Sequence, residues 1–171
     1  AQYYYRSAGG HIHIGNFGNS TYEPEAKVNE AIKKDKQLIS IMDILVGNTC
    51  VLIDKDPGNI IRRKVYGRAG EYRTPKHGIE YRTLSNFWLQ NYALMSFVTG
   101  LARTAVLIVA QSTKENNYAR QILRAVKRTK IKKAINNNDF KLALKNFEKI
   151  ENIIARISPE SSNKPNWLNL P

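Results

Sequence analysis

The stretch Arg62–Trp88 has the sequence RRKVYGRAGEYRTPKHGIEYRTLSNFW and contains Glu-Tyr-Arg twice, at residues 71–73 and 80–82. A segment with Pro75 and Gly78 at its ends separates the two copies. Two β-prone runs on either side of such a segment are typical of a β-hairpin. The stretch therefore predicts an antiparallel ribbon, and the rest of the chain is organised around it.

The predicted register places Arg73 opposite Glu80 and Glu71 opposite Arg82, because residues two apart share a face of a strand. Two interpretations of this charged face are open. One is a pair of exposed ion pairs, each worth up to ~1 kcal/mol. The other is a site in which a carboxylate holds a divalent cation beside arginines that bind phosphate, as phosphoryl transfer requires.

The sequence Gly10-His-Ile-His-Ile-Gly15 alternates strictly between polar and apolar residues. In a strand, His11 and His13 share one face while Ile12 and Ile14 share the other. The pattern predicts a half-buried strand. Its two imidazoles fit either a metal or ligand site or an ordinary solvent-facing surface.

Between these two motifs the apolar spacing predicts a helix that is capped near Thr21 and ends after Val46. Asp43 lies within its apolar stretch, so we expect it either to pair with an arginine of the hairpin region or to face solvent. The apolar run Thr49–Ile53 predicts a short buried strand.

After the hairpin, apolar spacing predicts helices for most of the remaining chain. The last two form an αα-hairpin that is broken at residues 136–139, and Ser, Asn and Pro then indicate an extended tail. The predicted elements are a helix capped by Ser85 or Asn86 that runs to Val98, its continuation over residues 101–112, a basic helix over 114–135, a helix over 140–157, and the tail 158–171.

The net charge of +13 is uneven: −1 over residues 1–57, +5 over 58–91 and +9 over 92–171. Residues 114–133 suggest a nucleic-acid-binding module as one alternative function, although a run of charges more often forms a solvated helix face, and we expect no nucleic-acid partner. Cys50 lies in an apolar run and predicts a buried, inert thiol. The apolar run after Arg103 is too short for a membrane span, so we expect no membrane contact.

Taken together, several motifs resemble the glutamine-synthetase-like carboxylate–amine ligases, and among them the phage-encoded amidoligases of the second type. The motifs follow one another in the family's order, which is more specific than any one of them. They are Gly10-His11-Ile12-His13, Arg68 and Arg73 five apart, Glu80-Tyr81-Arg82, and Ser85-Asn86-Phe87-Trp88-Leu89.

This resemblance implies an enzyme that uses ATP to phosphorylate a carboxylate, which an amine then attacks to give an amide. It implies ATP and Mg²⁺ or Mn²⁺ as cofactors, and small-molecule or peptide carboxylates and amines as substrates. The implied residues are His11 and Glu80 for the metal, His13, Arg68 and Arg73 for the nucleotide, and Arg73 and Arg82 for catalysis. Arg68 and Arg73 reach one face of a strand only if a bulge forms at Ala69-Gly70.

The resemblance covers His11 to Leu89 in detail. Family members carry further metal-binding glutamates before the His-x-His strand, whereas no acid precedes His11 here. We therefore expect the C-terminal part of a ligase, inactive alone, that aggregates or pairs with the missing N-terminal strands in the same or another chain. A homo-oligomer, or an inactive structural half that binds a partner, is an alternative.

The predicted fold class is α+β: an antiparallel sheet that carries the active site, packed by helices, with a C-terminal helical hairpin, as in part of a glutamine-synthetase-like catalytic domain. The predicted division is a catalytic part over residues 1–112, a helical hairpin over 113–157 and a tail over 158–171. The expected location is the cytoplasm, that of an infected bacterial host if the chain is phage-encoded.

Overall fold

A small antiparallel sheet and a set of helices make up the computed structural model, which describes residues 8–15, 34–76 and 78–157. The predicted α+β class is confirmed. The elements are β1 Ile12–Gly15, α1 Asp35–Met42, a π-helical segment Asp43–Gly47, α2 Asn48–Val51, α3 Gly58–Val65, β2 Tyr72–Arg73, β3 Gly78–Tyr81, a 3-10 helix Phe87–Gln90, α4 Tyr92–Gln111, α5 Tyr118–Ala125, α6 Arg128–Asn136 and α7 Phe140–Ile157. The predicted cap at Thr21 and the predicted tail 158–171 lie outside the described residues.

The three described strands are antiparallel and lie in the order β1-β3-β2. Arg73 pairs with Glu80, and the Arg82 N–H donates to the Glu71 carbonyl oxygen at 3.0 Å. The predicted hairpin and its register are therefore confirmed. The Gly78 N–H donates to the Pro75 carbonyl oxygen at 3.1 Å, which closes the turn.

The β-prone run before this turn is mostly not a strand, which corrects the prediction. Residues up to Val65 belong to helix α3, and residues 66–71 form a loop. Gly67 and Gly70 have φ angles of +77° and +81°, a left-handed backbone that glycine adopts without strain. Because of these two positions the chain cannot extend as a strand before Tyr72.

Thr49–Ile53 is also not a strand: the chain continues helically from α1 through the π-helical segment into α2. All residues from Asn48 to Val51 are buried, so no polar face marks a helical period in the sequence. Gly47 does not end the helix but lies inside it, where a Cβ atom would come within 2.6 Å of the Tyr81 hydroxyl oxygen. Burial raises the pKa of the Cys50 thiol, as expected for an inert cysteine.

Helix α4 begins at Tyr92, and its cap is Asn91, whose side-chain oxygen accepts from the Leu94 N–H at 2.9 Å. Neither Ser85 nor Asn86 caps it, because the 3-10 helix Phe87–Gln90 intervenes. Helix α4 is long and apolar enough to cross a membrane by length and composition, a feature hidden in the sequence by Arg103. A single helix of this kind is weak evidence of a membrane span, and α4 also packs against α1 and the π-helical segment.

The helices after residue 112 pack into the same core as the sheet and α1. The predicted basic helix is two helices, α5 and α6, with a break at Val126 and Lys127. The predicted helical hairpin is confirmed: α6 and α7 pack together, Asn138 has a φ of +50°, and Asp139 Oδ1 accepts from the Leu142 N–H at 3.0 Å.

Candidate active site

The central strand β3 separates a buried apolar face from a charged face. Ile79 and Tyr81 point into the core and are almost fully buried. Glu80, between them, points to the other face, where its register neighbours are His13 on β1 and Arg73 on β2. The sheet thus brings together three of the predicted site residues in one row, with Arg73 and His13 exposed and Glu80 8% exposed.

His11 lies directly against the Glu80 carboxylate, with 2.7 Å between His11 Nδ1 and Glu80 Oε1. Burial lowers the pKa of His11, and Glu80 opposes this effect while the nearby Arg82 adds to it. A lowered pKa makes the neutral imidazole the main form at neutral pH, with Nδ1–H donating to the carboxylate. A neutral imidazole beside a carboxylate is a pair of groups that can both ligate a metal ion.

Arg82 extends the charged face by contacting both carboxylates of the doubled motif. Its Nε lies 3.4 Å from Glu80 Oε1, an ion pair without hydrogen-bond geometry, and its Nη1 lies 3.8 Å from Glu71 Oε1. The guanidinium also stacks over the Tyr66 ring at 4.8 Å from the centroid, a favourable cation–π contact. Packing against Tyr66 and two carboxylates holds Arg82 in a defined position.

Tyr66 is a site residue that the sequence interpretation missed. Its ring centroid lies 5.6 Å from that of His11, and Arg62 lies on it at 5.8 Å. Gly9 packs against its hydroxyl so closely that a Cβ atom would come within 2.5 Å. Tyr66 lies in a loop and far in sequence from His11, so no periodic pattern in the sequence marks it. The adjacent Gly67 is the one local sign of a turn there.

Glu71 has a different environment from Glu80, although both belong to the same repeated tripeptide. Its Oε2 accepts from the N–H groups of Gly67 at 2.7 Å and Arg68 at 3.2 Å. Glu71 therefore organises the loop 66–71, whereas Glu80 faces His11. Both Glu–Arg pairs have the predicted register, but the two glutamates contact different groups.

Arg68 is not brought to this charged face. Its Nε donates to the Arg63 carbonyl oxygen at 2.9 Å, and Nη2 donates to the Lys64 carbonyl oxygen. These are carbonyls of the last turn of α3, where a cation is stabilising. The bulge expected at Ala69-Gly70 is replaced by the loop, and Arg68 binds a helix end; its predicted role toward a nucleotide remains a prediction.

Asp43 neither pairs with an arginine nor faces solvent, which corrects both expectations. It is 3% exposed, and its Oδ1 accepts from the Gly70 N–H at 3.0 Å and from the Tyr81 hydroxyl at 2.9 Å. Burial raises the pKa of this carboxyl from 3.8 to about 6, and the two hydrogen bonds only partly oppose it. Asp43 thus links the π-helical segment to the loop and to the reverse face of β3.

Arg62 and Arg63 were missed because they are buried by contacts distant in sequence. Arg62 Nη2 donates to the Thr83 carbonyl oxygen at 2.8 Å, and Arg63 donates to the Ile135 carbonyl oxygen. Burial lowers the pKa of both guanidiniums. The two arginines fix α3 against the segment that follows β3 and against α6.

His11 and Glu80 are the two residues that were predicted to hold a metal ion, and the structure places them in contact. Within residues 8–15, 34–76 and 78–157, no group of three or more His, Cys, Asp or Glu side chains could hold an ion. His11 and Glu80 provide two adjacent donors of the types that Mn²⁺ and Mg²⁺ accept. Among the residues that the structure describes, none forms a hydrogen bond with the buried Nε2 of His11, whereas Nδ1 faces the Glu80 carboxylate.

Comparison with protein-family models gives a match to the family described as "Phage phiEco32-like COOH.NH2 ligase-type 2", over residues 2–169. The match spans essentially the whole chain. It includes the helices after Leu89, which the resemblance in the sequence did not cover in detail. No curated protein and no solved structure matches the chain significantly.

Proposed function

The chain belongs to the phage phiEco32-like COOH-NH2 ligase family, type 2, a family of carboxylate–amine ligases, and we propose that it activates its carboxylate with ATP. A carboxylate oxygen attacks the γ-phosphorus of ATP, and ADP leaves. The amine nitrogen then attacks the acyl carbon of the acyl phosphate, phosphate leaves, and the nitrogen releases its surplus proton to give an amide or peptide-type bond.

The contact between His11 and Glu80 beside Arg82 is the observation that supports this proposal best. Phosphoryl transfer to a carboxylate brings two anions together, so the enzyme must place positive charge where they meet. When the proton of the neutral imidazole is on Nε2, Nδ1 and the Glu80 carboxylate, 2.7 Å apart, can share one divalent cation, and a guanidinium lies 3.4 Å from the same carboxylate oxygen. An exposed surface ion pair does not need this third group or its aromatic support.

The proposed roles follow from position on the sheet. His11 and Glu80 hold Mg²⁺ or Mn²⁺, which when bound neutralises phosphate oxygens. Arg82, fixed against Tyr66, faces the transferred phosphoryl group, while the exposed Arg73 and His13 in the adjacent rows contact the nucleotide phosphates. Arg68 joins them only if its guanidinium leaves the end of α3.

The remaining metal ligands are proposed to come from beyond the described sheet. Among the described strands, β1 lies at an edge, so its outer side is not paired with β2 or β3. A further strand on that edge, from the same or another chain, would lie next to the strand that contains His13. We therefore propose that the missing acidic ligands approach along the outer edge of β1.

Calorimetric titration with a non-hydrolysable ATP analogue, with and without Mn²⁺, tests the site. We expect affinity to increase with Mn²⁺, and Glu80→Gln to abolish the increase while leaving the melting temperature near that of the unmodified chain. Glu71→Gln is the matched control: its carboxylate is used by the backbone of the loop, so it should lower stability and keep the Mn²⁺ effect. Equal affinity with and without Mn²⁺ would contradict the metal assignment.

Trapping with hydroxylamine tests the acyl phosphate separately. Hydroxylamine replaces the amine, so each activated carboxylate gives a hydroxamate together with one ADP. We expect hydroxamate formation from at least one member of a set of amino acids and dicarboxylates, and none from Glu80→Gln. ADP release without hydroxamate, in every mixture, would indicate ATP hydrolysis and would reject the ligase mechanism.

A further inference from the structure

A cavity of about 300 Å³ lies beside the candidate active site, between the end of α2 and the start of α4. This volume is at the small end of the range of ligand sites and suits a small metabolite. Its wall contains three apolar and six polar side chains. The lining residues are Ile53, Asp54, Lys55, Asp56, Ser85, Asn86, Phe87, Gln90 and Leu94.

The cavity contains three charged side chains: a buried carboxylate with nearby hydrogen-bond and charge partners, and an exposed lysine and aspartate that are not ion-paired among the described residues. Asp54 is 4% exposed, accepts from the Ser85 hydroxyl at 2.5 Å, and lies in the field of the buried Arg62 and Arg63. Lys55 and Asp56 are exposed, and within the described part of the chain they form no ion pair with each other or with any other side chain. Asp56 Oδ1 already accepts from the Gly58 N–H at 2.8 Å, so the Lys55 ammonium and the second oxygen of the Asp56 carboxylate, Oδ2, remain for a ligand at the cavity.

The cavity shares a wall with the segment Gly9–His11 that leads into β1. Ser85 binds Asp54 on the cavity side, and its backbone forms a bridge with Gly9 on the other. The Ser85 carbonyl oxygen packs so closely on Gly10 that a Cβ atom there would come within 2.5 Å. His11 follows Gly10 directly, so a ligand in the cavity lies one layer of backbone from the start of the charged face.

We propose that this cavity binds a zwitterionic α-amino acid. Asp56 accepts hydrogen bonds from the ligand's ammonium group, and Lys55 donates to its carboxylate. The amides of Asn86 and Gln90 complete the polar side, and an apolar ligand side chain packs on Ile53, Phe87 and Leu94. The binding of this amino acid does not depend on the proposed ligase function.

The test is an NMR titration of the ¹⁵N-labelled full chain, without ATP, using L-leucine and two analogues that each lack one charge. These are 3-methylbutylammonium, which has no carboxylate, and 4-methylpentanoate, which has no ammonium. Because each lost charge-assisted hydrogen bond weakens binding substantially, we expect leucine to bind about tenfold more tightly than either analogue. The side-chain amide signals of Asn86 and Gln90 should shift most.

One variant tests each of the two charges. A second lysine and a glutamate that are adjacent in sequence serve as the control. Asp56→Asn should remove the advantage of leucine over 4-methylpentanoate, and Lys55→Gln its advantage over 3-methylbutylammonium. Lys114→Gln and Glu115→Gln should change neither, because they follow the far end of α4, roughly 25 Å along the helix from Leu94. All four sites are exposed, so the variants should fold.

Three results would overturn the proposal. They are an affinity for leucine no higher than for its analogues, chemical-shift changes only outside the cavity, and equal effects of the control variants on leucine binding. The outcome is independent of the proposed function. Hydroxamate formation without leucine binding would reject the cavity alone. Leucine binding as described without any hydroxamate would reject the ligase mechanism and keep the amino-acid site.

Discussion

Replacing Asp43 with Asn should remove a pH dependence of stability that this buried carboxyl imposes. The folded pKa of about 6 lies above the ordinary 3.8, so the folded state binds the extra proton between these values. The stabilising contribution is therefore fully present below pH 3.8 and is lost as pH rises through 6. The whole difference amounts to about 3 kcal/mol, of which on the order of 1 kcal/mol falls between pH 5 and pH 8.

The structure indicates that Asn fits at this position. Both hydrogen bonds to Asp43 end on Oδ1, so the amide oxygen of Asn can accept from the Gly70 N–H and the Tyr81 hydroxyl. We expect Asp43→Asn to be at least as stable as the unmodified chain at pH 8, and to lose this advantage toward pH 5.

Urea unfolding followed by tryptophan fluorescence, from pH 5 to pH 8, measures the difference between the two proteins, so that other titrating groups cancel. Tyr81→Phe is the opposing variant: it removes a hydrogen bond that lowers the pKa of Asp43, and should therefore enlarge the pH dependence. A constant free-energy difference between Asp43→Asn and the unmodified chain across this range would refute the reasoning.

Three further outcomes are expected. Gly47→Ala should destabilise the fold by roughly 1–3 kcal/mol in thermal or urea unfolding, because the new Cβ would come within 2.6 Å of the Tyr81 hydroxyl; an unchanged stability would show that the segment can shift. Arg68→Gln should lower stability and leave the affinity for an ATP analogue intact, since its guanidinium binds the end of α3; a large loss of affinity would instead support its predicted nucleotide role. Binding of duplex DNA, measured by anisotropy, should be weak and lost near physiological salt, and simultaneous Lys130→Gln, Lys132→Gln and Lys133→Gln should flatten its salt dependence; tight binding at physiological salt would favour the nucleic-acid alternative.

The hairpin could be predicted because its signals are local. The alternation of residues, the turn and the repeated tripeptide fix which side chains are opposed, and the observed pairing of Arg73 with Glu80 follows from them. The His-x-His strand is similar: Ile12 and Ile14 are buried as the alternation requires. Short-range periodicity therefore predicts the polar face of each strand, whereas the proximity of His11 to Glu80 was implied only by the family resemblance and depends on the pairing of β1 with β3.

What the sequence did not reveal depends on partners far along the chain. Arg62 and Arg63 look like surface charges, yet both are buried, because their guanidinium N–H groups donate hydrogen bonds to the backbone carbonyls of Thr83 and Ile135. The helical course of Thr49–Ile53 is hidden because residues buried all round show no period. The resemblance implied a nucleotide role for Arg68 through a strand shared with Arg73, and the loop with Gly67 and Gly70 replaces that strand before Tyr72.

Strand β3 connects the buried Asp43 on one face of the sheet with the candidate site on the other face. Glu80 and Arg82 flank Tyr81, and alternation sends Tyr81 into the core when its two neighbours face the ligand side. A slip of one residue would bury both charges and expose the tyrosine. The hydroxyl of Tyr81 donates to Asp43, and the same carboxylate oxygen holds Gly70, directly before Glu71. One buried acceptor thus specifies the register of β3 and the position of the loop, and a raised pKa is the consequence of placing it where no solvent reaches.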